Sequence, residues 1–256
     1  MPGKPGKRSA RRALVAAALI TTALVTAAGC GGSDGSGPPG TASPPTASAP
    51  APTPSQSPTP TATPSRKSGF SATVEKVTAK DLPHSWRKGC PVPPSGLRMI
   101  RMSYWGMDDR HHENGRLVVN AKAADDLVKV FRKLYGMRYP IKRMEPVDKY
   151  EGSDFDSIEA NNTSAFNCRN ATGGSHWSQH AYGLAIDINP CENPYVTASG
   201  HVAHKDCVKY RKRTGRTPGL IHAGDRVVKA FASIGWGWGG SWTGTKDYQH
   251  FSSTGR

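Results

Sequence analysis

Apolar residues along this chain fall into three regimes. A largely apolar run from Ala13 to Ala28, with Leu14, Val15, Leu19, Ile20, Leu24 and Val25, follows a basic start. Residues 31 to 65 then have no apolar pattern at all, being almost wholly Gly, Pro, Ser, Thr and Ala. Periodic patterns begin near Phe70. Leu97 to Tyr104 alternates apolar and polar positions, which predicts a strand. Asn114-Gly115 is a turn signal leading into a second strand, Arg116 to Val119. Ala123, Leu127, Val130, Phe131 and Leu134 recur on one helical face, with Asn120 as the expected cap and Gly136 as the expected left-handed end. A strand over Tyr139–Met144 and a helix over Asp225–Ile234, closed by Gly235, complete the prediction. Strands interspersed with two helices predict an α+β domain: a small antiparallel sheet with packed helices and long loops.

The first two regimes predict the domain organisation. Residues 1–29 resemble a bacterial lipoprotein signal peptide: Lys4, Lys7, Arg8, Arg11 and Arg12 precede an apolar run too short and alanine-rich to span a membrane. The run ends in Ala27-Ala28-Gly29-Cys30, so Cys30 is the expected lipidation site; an ordinary secretory peptide with an incidental cysteine is the alternative. Residues 30–66 cannot bury a core, and their prolines favour extended conformations, which suits a semi-rigid tether. Residues 67–256 are the expected folded domain. The expected location is exported, at the outer face of the membrane or in the wall, held by lipid on Cys30.

Charge and cysteine usage narrow the partners. The formal charge of +15 attracts polyanions. No nucleic-acid fold signature is present, so nucleic acid is not an expected partner, and the targeting segment favours the anionic bacterial wall. Export makes Cys90, Cys168, Cys191 and Cys207 an even set in an oxidising compartment. Cys191 with Cys207 is the preferred pair because it staples a polar excursion, leaving Cys90 with Cys168. A cysteine-based zinc site is the rival, without C-x-x-C spacing to support it.

The candidate chemistry lies in Ser178-Gln179-His180-Ala181-Tyr182-Gly183-Leu184-Ala185-Ile186-Asp187 and Asp247-Tyr248-Gln249-His250. Catalytic zinc sites use three N/O ligands and leave a fourth position for water, and a nearby carboxylate can serve as general base. His180, Asp187 and His250 supply the ligands and Asp247 the base. His180 and Asp187 on one strand would face opposite sides, so a bend is required, and Gly183 is placed to allow one. Among the other histidines, a structural role is the ordinary expectation.

These motifs resemble the zinc D-alanyl-D-alanine carboxypeptidases and L-alanyl-D-glutamate endopeptidases of the LAS group, which takes in lysostaphin-type, D-Ala-D-Ala and hedgehog-type zinc proteins. Asn161 to Arg169, Asp187-Ile188-Asn189-Pro190, Asn193-Pro194-Tyr195 and Gly235 to Trp242 add to the likeness, which runs from about Cys90 to Phe251. The resemblance implies the LAS/hedgehog-type fold, one zinc ion, and hydrolysis of peptide bonds in peptidoglycan stem peptides. It implies Asp247 as general base and then acid, and Arg169 as the donor that stabilises the oxyanion. A surface carboxylate and a solvated arginine are the plain alternatives. Ser178 fixes substrate or orients the His180 loop. Trp236, Trp238 and Trp242 floor a substrate groove or pack in the core, with Trp238 the chosen substrate contact. Aspartate at 247 is more like the endopeptidase branch, since many relatives that cleave terminal D-Ala-D-Ala carry glutamate there. Carboxypeptidase, endopeptidase and a non-catalytic zinc-stabilised wall-binding module are therefore the three functions in play.

Overall fold

The computed structural model describes residues 69–256; the expected signal peptide, Cys30 and the whole of the expected tether lie outside the described residues. The domain is α+β, with small sheets and few helices. The largest sheet orders β1 (Ala72–Lys76), β2 (Leu97–Gly106) and β3 (His111–Asn120) antiparallel. After α1 (Ala124–Gly136), the short strand β4 (Pro140–Ile141) joins the end of β2 in parallel. The expected 139–144 strand is thus two pieces, because β5 (Arg143–Met144) leaves this sheet, and after α2 (Asp154–Glu159) it pairs in parallel with β6 (Asn162–Thr163). Then follow β7 (Ala185–Asp187), β8 (Tyr195–Val196), α3 (Arg226–Ala232), β9 (Gly237–Trp238), β10 (Lys246–Asp247) and β11 (His250–Ser252). No described helix is long and apolar enough to cross a membrane.

Both faces of β2 and β3 are covered, so the period-two pattern divides two apolar clusters rather than core from solvent. Ile100, Met102 and Tyr104 join Leu117 and Val119 in the main core, while Leu97 and Met99 join Val118, Phe166 and Cys168 on the other side. The apolar face of α1, through Leu127, Val130, Phe131 and Leu134, packs on the main core, and α3 adds Val227, Ala230 and Phe231. Phe231 stacks on Phe251 at 4.1 Å between ring centroids, which ties α3 to β11. Each such fully buried side chain contributes about 2 kcal/mol.

Four local expectations are corrected. Asn114-Gly115 is not a turn: the hairpin turns at 107–110, with Asp109 left-handed at φ 56°, and Gly115 lies inside β3 opposite Met102. A Cβ on Gly115 would stand 2.8 Å from the Met102 carbonyl oxygen and 2.9 Å from the Tyr104 ring, beside an irregularity in the β2–β3 register, so this glycine serves close packing. Asn120 does not cap α1, whose N-cap is Ala123; its Oδ1 accepts from Lys122 N–H and its Nδ2 donates to the Tyr182 carbonyl. Gly136 is the last helical residue, and Arg138 at φ 52° takes the left-handed position. The second helix is shorter than expected, Arg226 to Ala232, although Gly235 is left-handed beyond it, at φ 79°. The structure bonds Cys90 to Cys168 and Cys191 to Cys207.

Candidate active site

The register of the small sheet β7-β11-β9 places the polar residues. His250 sits directly opposite Asp187, and Phe251 opposite both Ile186 and Trp238. Side chains directly opposite share a face. Ile186, Phe251 and Trp238 therefore turn into the core, and Asp187 and His250 turn out together into a cleft of about 510 Å³. His180 arrives from the single 3-10 turn Gln179–Tyr182, which precedes β7. Ser178 caps that turn, its Oγ accepting from His180 N–H at 3.3 Å, so it holds the turn that carries His180 as well as lining the cleft. Gly183 closes the turn at φ 65° and supplies the bend that brings His180 and Asp187 to one side. Its carbonyl accepts from Asn120 N–H at 2.8 Å, which docks the bend on the end of β3.

Three donor groups meet here. His180 Nε2 lies 3.2 Å from Asp187 Oδ2 and 3.3 Å from His250 Nδ1, which is 3.1 Å from Asp187 Oδ1. All three residues are buried, and their ligand atoms fall within 4.8 Å of one another. Tetrahedral zinc bonds of about 2.0–2.1 Å put neighbouring donors roughly 3.3 Å apart, so the cluster fits such an ion without rearrangement. The supporting contacts agree. His180 Nδ1 is 2.6 Å from the Ala165 carbonyl oxygen, an acceptor, so this nitrogen carries the proton and Nε2 offers its lone pair to the cluster. Gln249 Nε2 donates to Asp187 Oδ2 at 3.1 Å.

The electrostatics are those of a site built around positive charge. Burial opposes protonation of His180, but the charge and hydrogen bond of Asp187 outweigh it and raise its pKa. Burial likewise opposes ionisation of Asp187, and the two histidines outweigh it, holding the carboxyl far below its ordinary range. For Asp247 the charges of His250 and Arg169 give weaker support. Burial first, then the nearby Asp187 charge, push its pKa up to about 7. As a residue Asp247 is only partly buried, yet its Oδ1 is shut off from solvent and has no hydrogen-bond partner. His250 Nε2 is also buried and unpartnered. A buried polar atom left unsatisfied costs about 1–3 kcal/mol, so these atoms mark a place where a ligand is expected.

Arg169 lines the same cleft on the loop after β6, and its charge acts on both His180 and Asp247. Its Nε lies 2.9 Å from Asp154 Oδ1, close enough for an ion pair although not aligned for a hydrogen bond. Asp154, at the start of α2, was not foreseen; its helix is six residues long, too short to show a periodicity. Trp238 does not contact the cleft. It is buried, its Nε1 donates to the Tyr248 carbonyl at 2.8 Å, and its ring packs on Phe251. Trp242 lines the cleft instead, 5.6 Å from the His250 ring between centroids. Strand alternation opposite Phe251 accounts for the difference: Trp238 is on the core face of β9, and a 3-10 turn carries the chain back to the cleft at Trp242.

No curated protein and no solved structure matches the chain. Residues 172–253, which hold His180, Asp187, Asp247 and His250 but not Arg169, match the family model described as D-alanyl-D-alanine carboxypeptidase, so this part of the chain is similar to a peptidase domain of that kind.

Proposed function

We propose that the protein is an exported zinc-dependent peptidase that hydrolyses peptide bonds in peptidoglycan stem peptides, acting as a D-alanyl-D-alanine carboxypeptidase. The observation that carries this reading is the buried His180–Asp187–His250 cluster, sharing one cleft with an unpartnered carboxylate and an arginine. His180 Nε2, a carboxylate oxygen of Asp187 and His250 Nδ1 would hold the zinc ion. Bound there, the ion would polarise the scissile carbonyl and acidify a water molecule.

The chain's own residues supply the remaining steps. Asp247 Oδ1 accepts the proton released as water attacks the carbonyl carbon. It then returns that proton to the departing amine. Arg169 donates to the carbonyl oxygen as negative charge develops on it. Asp154 occupies the Nε side of the guanidinium and Nη1 donates to the Asn170 carbonyl, which leaves Nη2 for this contact. Ser178 fixes the His180 turn, and Trp242 forms part of the wall against which a stem peptide lies.

The two disulfides support export to an oxidising compartment. Lipid on Cys30, with residues 31–65 as tether, would hold the domain within reach of the wall; Cys30→Ser should then move the protein from the membrane fraction to the medium. Digestion of purified muropeptides with the zinc-loaded protein, read by mass spectrometry, tests the activity. Loss of one terminal D-alanine is the expected product. Scission after L-alanine instead would assign the endopeptidase activity towards which Asp247 leans, and intact muropeptides would leave a wall-binding role.

A further inference from the structure

The positive charge of the described residues is concentrated in one place. Residues 69–256 contain 27 Lys and Arg against 18 Asp and Glu, a formal +9. The stretch 205–216 (Lys-Asp-Cys-Val-Lys-Tyr-Arg-Lys-Arg-Thr-Gly-Arg) holds six of those cations and one acid, a formal +5. Over half of the net charge therefore sits on a small fraction of the length. Lys205, Lys209, Arg211, Lys212 and Arg216 are all exposed. None of these five takes part in an ion pair among the described residues.

This segment is anchored from within. Cys207 is buried and bonded to Cys191. Arg213, the sixth cation, turns inward and donates to the carbonyls of Glu192 and Ile221 and to Asn193 Oδ1, while its guanidinium lies 4.5 Å from the centroid of the Tyr248 ring. His204, just before the stretch, lies 3.1 Å from Glu159 and lines the cleft. Five like charges on an anchored segment, with Asp206 the one acid among them, repel one another, and surfaces without a charged partner ordinarily intersperse the two signs.

The geometry selects among polyanions. Lys205–Tyr210 is a 3-10 helix, with three residues per turn, so Lys205 and Lys209 project in different directions. A flat lipid surface meets cations on one side only, whereas a flexible chain can follow them around the turn. Val208 is the one large apolar side chain exposed in the stretch, too little area for insertion at a membrane interface. Tyr210 is its one aromatic, with Lys209 over one face of that ring, so the stretch offers no succession of aromatic faces on which nucleic-acid bases could stack. We propose that residues 205–216 form a docking surface for a flexible polyanionic chain, seated beside the mouth of the cleft.

The test uses the full chain with long-chain inorganic polyphosphate as the probe. A variant with Lys205, Lys209, Lys212 and Arg216 all changed to Gln is compared with a control of equal charge loss at exposed Lys80, Lys88, Lys122 and Lys142. Intact disulfides and an unchanged melting temperature in both variants establish that each is folded. Neutralising about five phosphates on a single flexible chain predicts a log–log salt dependence of affinity with slope of about −3.5 for the unmodified protein. The 205–216 variant should lose about a thousandfold in affinity at low salt, on the basis of about 1 kcal/mol for each of the four cations, and the control about threefold or less. Equal losses in the two variants overturn the proposal, since total charge alone would then explain binding. Tighter binding to phosphatidylglycerol vesicles than to either polyphosphate or polyglutamate, dependent on the same four residues, overturns the assignment to a flexible chain.

Discussion

The bend at Gly183 permits a sharp prediction, because the structure shows what a single methyl group would meet there. Gly183→Ala places a side chain on a residue at φ 65°, the left-handed region, which costs a non-glycine residue about 1–2 kcal/mol. The new Cβ would stand 2.6 Å from the backbone nitrogen of Asn120 and 3.1 Å from the Val119 carbonyl carbon, and neither can swing away as a side chain could. Relief requires the bend to move off β3, with loss of the Asn120 N–H to Gly183 carbonyl bond, about 1 kcal/mol more. The total is about 2–3 kcal/mol. For a domain of this size that lowers the melting temperature by about 4–12 °C. Zinc affinity should also fall, because the bend that moves is the one that holds His180 against Asp187 and His250. Gly136→Ala is the internal control: nothing lies within 4 Å of its added Cβ and its φ is not positive, so its melting temperature should be unchanged or slightly raised. Thermal unfolding followed by circular dichroism, with a zinc titration of each variant, reads both effects. Equal melting temperatures for the two variants would refute the claim that Gly183 is required by its contacts.

Other consequences follow from the site and the disulfides. Asp247→Asn should retain zinc and fold but lose on the order of a hundredfold or more in muropeptide turnover, measured by product mass; near-normal turnover would mean that another group moves the proton. With zinc chelated, Asp247 keeps a proton in the folded state that the unfolded chain has released between its ordinary pKa of 3.8 and about 7, so its contribution makes stability fall as pH rises through that window. Asp187 acts in the opposite sense, stabilising above its ordinary pKa and losing that contribution as pH falls. Asp247→Asn should therefore melt higher than the unmodified protein at pH 8 without metal, by an amount that reflects a few kcal/mol; a lower melting temperature contradicts the assignment of a repelled, buried carboxylate. Removing the Cys90–Cys168 bridge, which spans 78 residues, should destabilise more than removing Cys191–Cys207, which spans 16, at about 4.5 against 3 kcal/mol in the loop-entropy picture, and denaturant unfolding of the two double-serine variants decides it.

The sequence made the elements with strong periodicity legible and left out those whose geometry comes from tertiary contacts. β2 and α1 show plainly in the spacing of Leu97 to Tyr104 and of Leu127 to Leu134. Asn114-Gly115 misled because the local signal for a turn is the same whether glycine supplies a left-handed backbone or simply the absence of a side chain; here Met102, Tyr104 and Met144 occupy the space a Cβ would need. α2 and the strands of two residues give no periodic signal, and with α2 went Asp154, the partner of Arg169. The cluster of His180, Asp187 and His250 was legible because its residue types and spacing carry the chemistry, and the need for a bend at Gly183 followed from strand alternation alone. Trp238 was misplaced because choosing among three nearby tryptophans requires the register of β9 against β11, which depends on the long-range pairing with Phe251.

The central claim is that His180, Asp187 and His250 form one metal centre. Elemental analysis of the purified full chain after equilibration with zinc and removal of the unbound ion tests it most directly, alongside His180→Ala and His250→Ala. The account predicts about one zinc per chain in the unmodified protein and none retained in either variant. Stoichiometric zinc in both variants, or none in the folded unmodified protein, would contradict it.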